Sequence, residues 1–396
     1  AMDYHHYRTA LAETLAQSEL PFPAAEYAVR LKKVRKGMAE HGLDALLLTD
    51  PADINYLTGY HTFEVSVHAC LVCTQERLVL QVASIETGAA VVTARVDEII
   101  GYRWENLDEI ITPLADLLTP CQKIGIDGWS SGLRFGVIDA LMQTIGRERF
   151  SEAGVVVDAI RIVKSPAELE MLQESARITA LGLETAIQSI RPGMTDNDIA
   201  AVGAKALLEN GSEFMSLQPI VTSGHRIGVI HVNHKRRVIQ PNVPVFLEFG
   251  AAFQRYTAPM MRTAVTGAPN MALSATRDLC RSIFEALCDT MRPGNSFDAA
   301  AQAADALLAP HRDQYFFSGV FGYAVGAQFP PSWVEGTGFI AKGQARTFET
   351  NMVFHLPLCL RVPGQWGVGI SDTVVVTENG AKPLTNNDWQ LFEARS

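Results

Sequence analysis

The stretch from Thr222 to Thr263 constrains the fold most, because it places charged side chains inside and beside an apolar run. The run Val245 to Glu248 is apolar up to its last residue, a pattern typical of a short buried strand. A carboxylate at the end of such a strand costs free energy unless a partner or ligand compensates its charge. Glu248 therefore calls for a functional explanation, and the structural alternative is a buried ion pair with Arg255 or Arg262.

Composition excludes several classes of protein. The chain has 396 residues, enough for two domains, and its net charge of −10 without a basic block argues against a nucleic-acid partner. No apolar run reaches the roughly 18 residues of a membrane span, and the first residues lack the pattern of a signal peptide, so a cytoplasmic location is expected. The six cysteines are scattered, and we expect them to be buried free thiols rather than a zinc or redox site.

Hydrophobic periodicity predicts two domains. Residues 20–160 alternate helical patterns with short strands, which predicts an α/β domain with helices packed on a mixed sheet. A connector follows, and Pro166 is a typical first residue for the long helix predicted up to Ile190. The second predicted domain therefore covers residues 161–396.

The second domain contains a repeated sequence motif. Arg191-Pro-Gly193 and Arg292-Pro-Gly294 each end a predicted helix and precede a Ser or Thr that would cap a second helix. Two such half-motifs suggest a pseudo-two-fold domain with a site between its halves. Coincidence is the alternative, because Pro-Gly after a helix is common.

Several motifs together resemble one known family. Residues 166–390 resemble the pita-bread fold shared by aminopeptidase P, prolidase, methionine aminopeptidase and creatinase. The first domain resembles the creatinase-type N-terminal domain, whose recurring loop is matched by Asn55-Tyr-Leu-Thr-Gly-Tyr60. The resemblance implies an α/β creatinase-type N-terminal domain, an α+β pita-bread domain with an internal pseudo-two-fold, and a homodimer.

The resemblance also implies a metal site that this sequence does not preserve. In the peptidase members, two metal ions are held by two aspartates, a histidine and two glutamates. The matching positions here are occupied by Glu248, Pro259, Tyr323, Leu356 and Ser371. A single carboxylate cannot hold two divalent ions, and the neighbouring His355 and Asp372 do not rebuild the site, so we expect no metal and no other cofactor.

Creatinase and ectoine hydrolase form metal-free branches of this family, and the sequence is more similar to the second. The shared features are Phe246-Leu-Glu248, Arg255-Tyr256, Gly322-Tyr323, Phe329 to Trp333 and Trp366 to Ser371. The resemblance implies hydrolysis of a C–N bond in a small zwitterionic molecule, with an ectoine-like cyclic amidine ahead of a creatine-like guanidine. The alternatives are a metallopeptidase that cleaves Xaa-Pro bonds and a non-catalytic binding protein.

Three residues are the candidate catalytic groups. Glu248 could pair with an amidinium carbon, attack it or orient water towards it. His231 matches the histidine that contacts substrate in the family, and an imidazole side chain is suited to proton transfer near neutral pH. Tyr323 could donate a hydrogen bond to developing charge, with packing into the space of the lost metals as the alternative.

Five further residues are predicted to bind substrate. Tyr60 belongs to the N-terminal loop that, in such dimers, reaches the partner's active site. Aromatic walls suit a small cation, although core packing is the alternative for the tryptophans. The predicted substrate contacts are Tyr60, Tyr256, Trp333, His355 and Trp366.

Overall fold

The computed structural model describes residues 1–395 and divides into two compact units. The first unit is Ala1–Arg161, and the second begins at Ile162. This division lies one residue from the predicted boundary between residues 160 and 161. No helix of the described residues is both long and apolar enough to cross a membrane.

The first unit is an α/β domain built on one mixed six-stranded sheet, as its alternating pattern predicted. Its helices are α1 Tyr4–Leu15, α2 Ala24–Glu40, α3 Pro51–Thr58, α4 Thr87–Thr93, α5 Asp108–Leu118, α6 Phe135–Ile145 and α7 Gly154–Arg161. Its strands are β1 Ala45–Leu48, β2 Cys70–Thr74, β3 Leu78–Ala83, β4 Glu98–Tyr102, β5 Ile124–Ile126 and β6 Phe150–Glu152. The strand order is β4-β3-β2-β1-β5-β6, and β1 is antiparallel to β2 but parallel to β5.

One local prediction in this unit needs correction. Most of the segment from Asn55 to Tyr60 lies in helix α3 rather than in a loop. Asp50 caps the helix, because its carboxylate accepts the amide hydrogen of Ala52 at 2.7 Å, and Pro51 occupies the first turn. Gly59 ends the helix with a φ of +87°.

The second unit is an α+β domain. Its helices are α8 Pro166–Gln188, α9 Asp196–Glu209, α10 Met271–Thr290 and α11 Phe297–Leu308. Its strands are β7 Ile220–Ser223, β8 Pro244–Phe249, β9 Ala252–Phe253, β10 Tyr256–Thr257, β11 Met260–Val265, β12 Gly322–Val325, β13 Val334–Ile340, β14 Val353–His355, β15 Leu358–Val362, β16 Trp366–Ile370, β17 Thr373–Thr377, β18 Gly380–Pro383 and β19 Phe392–Glu393.

Two larger sheets organise this unit. One has the order β19-β11-β8-β7 and the other β13-β12-β14-β17-β18, while β15-β16 and β9-β10 form two-stranded ribbons. Along β8, Val245, Leu247 and Phe249 pack with residues of α8 and α9. Because side chains alternate across a strand, Phe246 and Glu248 point to the opposite face.

The repeated Arg-Pro-Gly motif of the sequence is also a structural repeat. Gly193 and Gly294 both have left-handed backbones, with φ of +93° and +90°. The Gly193 amide donates to the carbonyl of Ile239 at 2.9 Å, and the Gly294 amide donates to the carbonyl of Phe348 at 3.2 Å. Each glycine thus turns the chain between paired helices, α8 with α9 and α10 with α11. The shared backbone geometry argues against coincidence.

Candidate active site

Glu248 lies on the inner face of β8. Its direct neighbours in register are Met261 on β11 and Ile220 on β7, so these three side chains share a face with Phe246. Met261 and Phe246 belong to a small apolar cluster that also contains Ile227 and Cys359. The carboxylate therefore lies beside an apolar wall.

No charge partner neutralises this carboxylate. Both arginines considered as ion-pair partners are engaged elsewhere, since Arg262 contacts Glu184 at 2.7 Å and Arg255 contacts Glu213 at 3.4 Å. Within residues 1–395, the Glu248 carboxylate makes neither an ion pair nor a side-chain hydrogen bond. Burial raises its pKa to about 7, and the positive charge of Arg361 opposes this shift. The structural alternative for Glu248 is therefore wrong.

The ribbon β15-β16 carries Arg361, the positive charge that acts on Glu248. Cys359 and Arg361 alternate along β15 with residues that enter the main core, so both face the Glu248 side. Opposite them in register are Gly369 and Gly367. A Cβ on Gly369 would lie 2.7 Å from Cδ2 of Phe246, so the glycine leaves the space that Phe246 fills.

A chain of hydrogen bonds lies on the other sheet. Tyr323 on β12 and His355 on β14 are directly opposite in register, which brings their side chains together. The Tyr323 hydroxyl is 2.7 Å from His355 Nδ1, and Nε2 of the same ring is 2.6 Å from Oγ of Ser371. Trp333 donates its indole N–H to the Tyr323 hydroxyl at 2.7 Å. Burial, together with the charge of Glu248, raises the pKa of Tyr323 well above its ordinary value.

His355 does not fit its predicted role as a substrate contact. The ring is fully buried, and both of its nitrogens are engaged with protein hydroxyls. Burial lowers its pKa to about 3, which keeps the ring neutral at physiological pH. His355 therefore lies behind Tyr323 and supports it, and no ring nitrogen remains for a ligand.

Trp333 reaches Tyr323 because Gly250 has no side chain. A Cβ at Gly250 would lie 2.6 Å from Cγ2 of Thr257 and 2.8 Å from Cε3 of Trp333. The indole is 2% exposed, so its predicted contact with substrate competes with this packing role. Because Gly250, directly after β8, has no side chain, Trp333 packs against the end of the strand that carries Glu248. In this position Trp333 donates its hydrogen bond to Tyr323.

We expect Gly250→Ala to displace Trp333. Overpacking should lower the free energy of unfolding by about 1–3 kcal/mol, measured by urea denaturation, and should change the tryptophan fluorescence of the folded protein. Gly136→Ala is the matched control, because no atom lies within 4 Å of its Cβ position in helix α6, and it should be neutral or slightly stabilising. Equal stability of the two variants would refute the close packing of Trp333 on Gly250.

The other predicted site residues lie elsewhere. His231 is exposed on a loop, with a φ of +61°. The Tyr256 hydroxyl donates to the Glu168 carboxylate at 2.8 Å. Trp366 lies on the opposite face of β16 from Gly367 and Gly369, where its ring centroid is 6.4 Å from that of Tyr315. These contacts give Tyr256 and Trp366 structural roles and separate Trp366 from the Glu248 cluster.

Tyr60 lies in the first unit, where it is 4% exposed and packs in the core beneath the sheet. Burial raises the pKa of its hydroxyl well above the ordinary value. Its contact with substrate stays a prediction.

A groove of about 920 Å³ runs along helix α8 on the far side of β11. Its lining includes Met260 and Arg262, whereas the side chain of Met261, between them, lies in the apolar cluster beside Glu248. The groove and the Glu248 cluster therefore lie on opposite faces of one strand.

The donor atoms around Glu248 do not fit a pair of metal ions. Among residues 1–395, no three His, Cys, Asp or Glu side chains converge closely enough to hold a metal. Asp372 is engaged with Thr385 Oγ1 at 2.6 Å and with Trp389 Nε1 at 2.9 Å, and Leu356 is buried in the apolar core. The other donor positions carry a phenol and a serine hydroxyl, which are weak ligands for a divalent ion.

Sequence reasoning missed the contribution of Arg361 and Cys359. Arg361 is the only charged residue in the apolar strand Leu358–Val362, and that isolation was an available signal. Ser371 was noted as a replaced ligand position, but its hydrogen bond to His355 depends on tertiary contacts that spacing does not reveal.

Comparisons with known proteins agree with this architecture. Residues 170–378 match the model of metallopeptidase family M24, and residues 30–163 match the creatinase/prolidase N-terminal domain. Prolidase from Pyrococcus horikoshii has a TM-score of 0.79 at 22% identity, over 92% of this chain and 99% of that one. The predicted fold class, a creatinase-type domain followed by a pita-bread domain, is confirmed.

Two relatives align over nearly their whole length. Ectoine hydrolase from Halomonas elongata is 26% identical, covering 96% of this chain and 100% of the relative. Xaa-Pro dipeptidase from Pyrococcus furiosus is 24% identical, covering 92% of this chain and 99% of the relative. The chain therefore belongs to metallopeptidase family M24 and carries the N-terminal domain of creatinases and prolidases.

Proposed function

We propose that this protein hydrolyses a C–N bond in a small zwitterionic cyclic amidine, such as ectoine, without a metal ion. The observation that carries the proposal is the Glu248 carboxylate, buried without an ion-pair partner on the inner face of β8. A delocalised cation of the substrate would supply the missing charge partner. The full-length similarity to ectoine hydrolase supports this substrate class.

The reaction needs only side chains and water. Water adds to the amidinium carbon, one C–N bond of the ring breaks, and the nitrogen leaves as an amine while the carbon remains as an amide. Glu248 either orients the water or attacks the carbon first, in which case water then cleaves the new bond between carboxylate and carbon and regenerates Glu248. The cation of the substrate favours the ionised form of Glu248. The Tyr323 hydroxyl donates a hydrogen bond to charge that develops at the reacting centre.

The role of His231 in moving protons stays a prediction, because its exposed loop lies outside the Glu248 cluster. The homodimer, the contribution of Tyr60 to a partner's site and the cytoplasmic location stay predictions.

The activity should fall as pH drops below 7. With the pKa of Glu248 raised to about 7, the ionised form that reacts is lost at lower pH, so log(kcat/KM) should fall by one for each pH unit. Arg361→Gln should move the profile to higher pH, because the charge of Arg361 lowers this pKa. The control is Arg281→Gln, because Arg281 is 54% exposed. This substitution should leave the pH profile of kcat/KM unchanged. A flat profile from pH 5.5 to 8 would contradict the role of Glu248.

The substrate class is tested by proton NMR of the protein incubated with ectoine, creatine, a lactam and an Xaa-Pro dipeptide in separate tubes. We expect ectoine to give ring-opened N-acetyl-diaminobutyrate. Cleavage of the dipeptide alone would favour the activity named for the Pyrococcus relative. No turnover of any compound would favour a binding protein.

A further inference from the structure

Four side chains form an uninterrupted hydrogen-bonded row in the second unit. The Trp333 indole donates to the Tyr323 hydroxyl, which lies 2.7 Å from His355 Nδ1. His355 Nε2 lies 2.6 Å from Ser371 Oγ, which accepts the amide hydrogen of Met261 at 2.7 Å. The row therefore has a fixed donor at each end.

Counting hydrogens defines two possible states of this row. The neutral ring carries one hydrogen and each hydroxyl carries one, which makes three hydrogens for the two inner bonds. One hydroxyl hydrogen must therefore point out of the row. If His355 is protonated at Nε2, the outward hydrogen belongs to Ser371, and if it is protonated at Nδ1, the outward hydrogen belongs to Tyr323.

Burial distinguishes the two states. Ser371 is 0% exposed, and within residues 1–395 its hydroxyl contacts only the Met261 amide and His355. An outward Ser371 hydrogen would have no acceptor, which is costly for a buried group. Tyr323 is partly exposed, so an outward Tyr323 hydrogen is not enclosed as that of Ser371 would be, and the negative charge of Glu248 acts on this hydroxyl.

We propose that Ser371 and His355 are positioning residues that aim the hydroxyl hydrogen of Tyr323 into the site beside Glu248. Ser371 donates to Nε2, the Nδ1–H of His355 donates to the Tyr323 oxygen, and Trp333 donates to the same oxygen. The Tyr323 oxygen then accepts two hydrogen bonds from within the row. Its own hydrogen is left to donate to a group in the site. The catalytic part of this proposal rests on the proposed function.

The arrangement supplies a preorganised donor. Two hydrogen bonds fix the Tyr323 oxygen in place, so its hydrogen needs no reorientation when charge develops on the substrate. Burial and the nearby carboxylate raise the pKa of Tyr323, so the phenol keeps the hydrogen that it donates. A metal ion would supply positive charge at the matching position of the family, and this row places a hydrogen-bond donor there.

The tautomer of His355 is the first test and needs no substrate. In protein labelled with ¹⁵N-histidine, two-bond proton–nitrogen NMR spectra distinguish Nδ1–H from Nε2–H rings, and His355→Gln identifies the signal. We expect His355 to be neutral and protonated at Nδ1 from pH 6 to 8.5. A ring protonated at Nε2 would overturn the proposal whatever the substrate proves to be.

A double-mutant cycle on amidine hydrolysis is the second test. We expect Tyr323→Phe to lower kcat about 100-fold and Ser371→Ala about 10-fold, with little change in KM. If Ser371 acts through Tyr323, Ser371→Ala should cause no further loss in the Tyr323→Phe background. Independent, multiplying losses would overturn the coupling. Failure of the proposed function would instead leave every variant, and the wild type, without turnover.

Ser175→Ala is the matched control for the cycle. Ser175 is also 0% exposed, accepts an amide hydrogen from Ala258 at 2.8 Å and donates to the carbonyl of Ala251 at 2.7 Å. Its removal should cost similar stability, but its effect on kcat should be the same with or without the Tyr323 hydroxyl. A dependence on Tyr323 equal to that of Ser371 would show that the coupling reflects general loosening.

Discussion

Replacing Glu248 by glutamine is expected to lower kcat for amidine hydrolysis by at least about 1,000-fold, because glutamine neither attacks carbon nor pairs with a cation. The variant keeps the size of the side chain and removes only its charge. It should remain folded, since no ion pair of the described residues depends on this carboxylate.

The matched control is Glu209→Gln in the same unit. Glu209 is 60% exposed and forms a surface ion pair with Lys205 at 3.1 Å, so its loss should leave both rate and stability nearly unchanged. Full activity in Glu248→Gln would show that the buried carboxylate is not part of the catalytic machinery.

Glu248→Gln should also stabilise the protein in a pH-dependent way. The fold raises the pKa of Glu248 from 4.5 to about 7, so the folded state favours the protonated carboxyl. This contribution to stability is complete below pH 4.5 and is lost as pH rises through 7. The two pKa values differ by an amount that corresponds to about 3 kcal/mol, and glutamine does not suffer this loss.

The measurement is the free energy of unfolding of wild type and variant in urea at pH 5 and pH 8.5. The advantage of the variant should be larger by about 2.5 kcal/mol at pH 8.5 than at pH 5, whereas Glu209→Gln should show no such change. Comparing the two pH values cancels any fixed effect of the amide group. A constant difference would mean that the fold already compensates the charge of Glu248.

The strand that carries Glu248 could be predicted from the sequence because its signals are local. An apolar run that ends on a carboxylate marks β8, and Pro166 marks the start of α8. The repeated motif with Gly193 and Gly294 predicted two similar halves of the second domain, and both glycines adopt the left-handed backbone that the motif requires. These features depend on neighbours within a few residues.

The surroundings of the carboxylate were less predictable, because they depend on distant contacts. The sequence predicts His355 as a substrate contact, yet its ring is enclosed by Tyr323 and Ser371, each from a different strand or loop. Trp366 could have been assigned correctly, since strand alternation places it with Val368 and Ile370 on the core face. The helix that contains Asn55 was also signalled by the Asp-Pro pair before it, which is a helix start as well as a strand end.

The most direct test of a metal-free carboxylate site is the rate of ectoine hydrolysis before and after removal of metals. Protein dialysed against EDTA, with its residual Zn, Mn, Co and Fe measured by mass spectrometry, would be assayed by NMR with and without added Mn²⁺ or Co²⁺. The donor set around Glu248 predicts an unchanged rate at less than about 0.05 metal ions per chain. Loss of the activity on dialysis, with recovery on addition of one of these ions, would contradict the account.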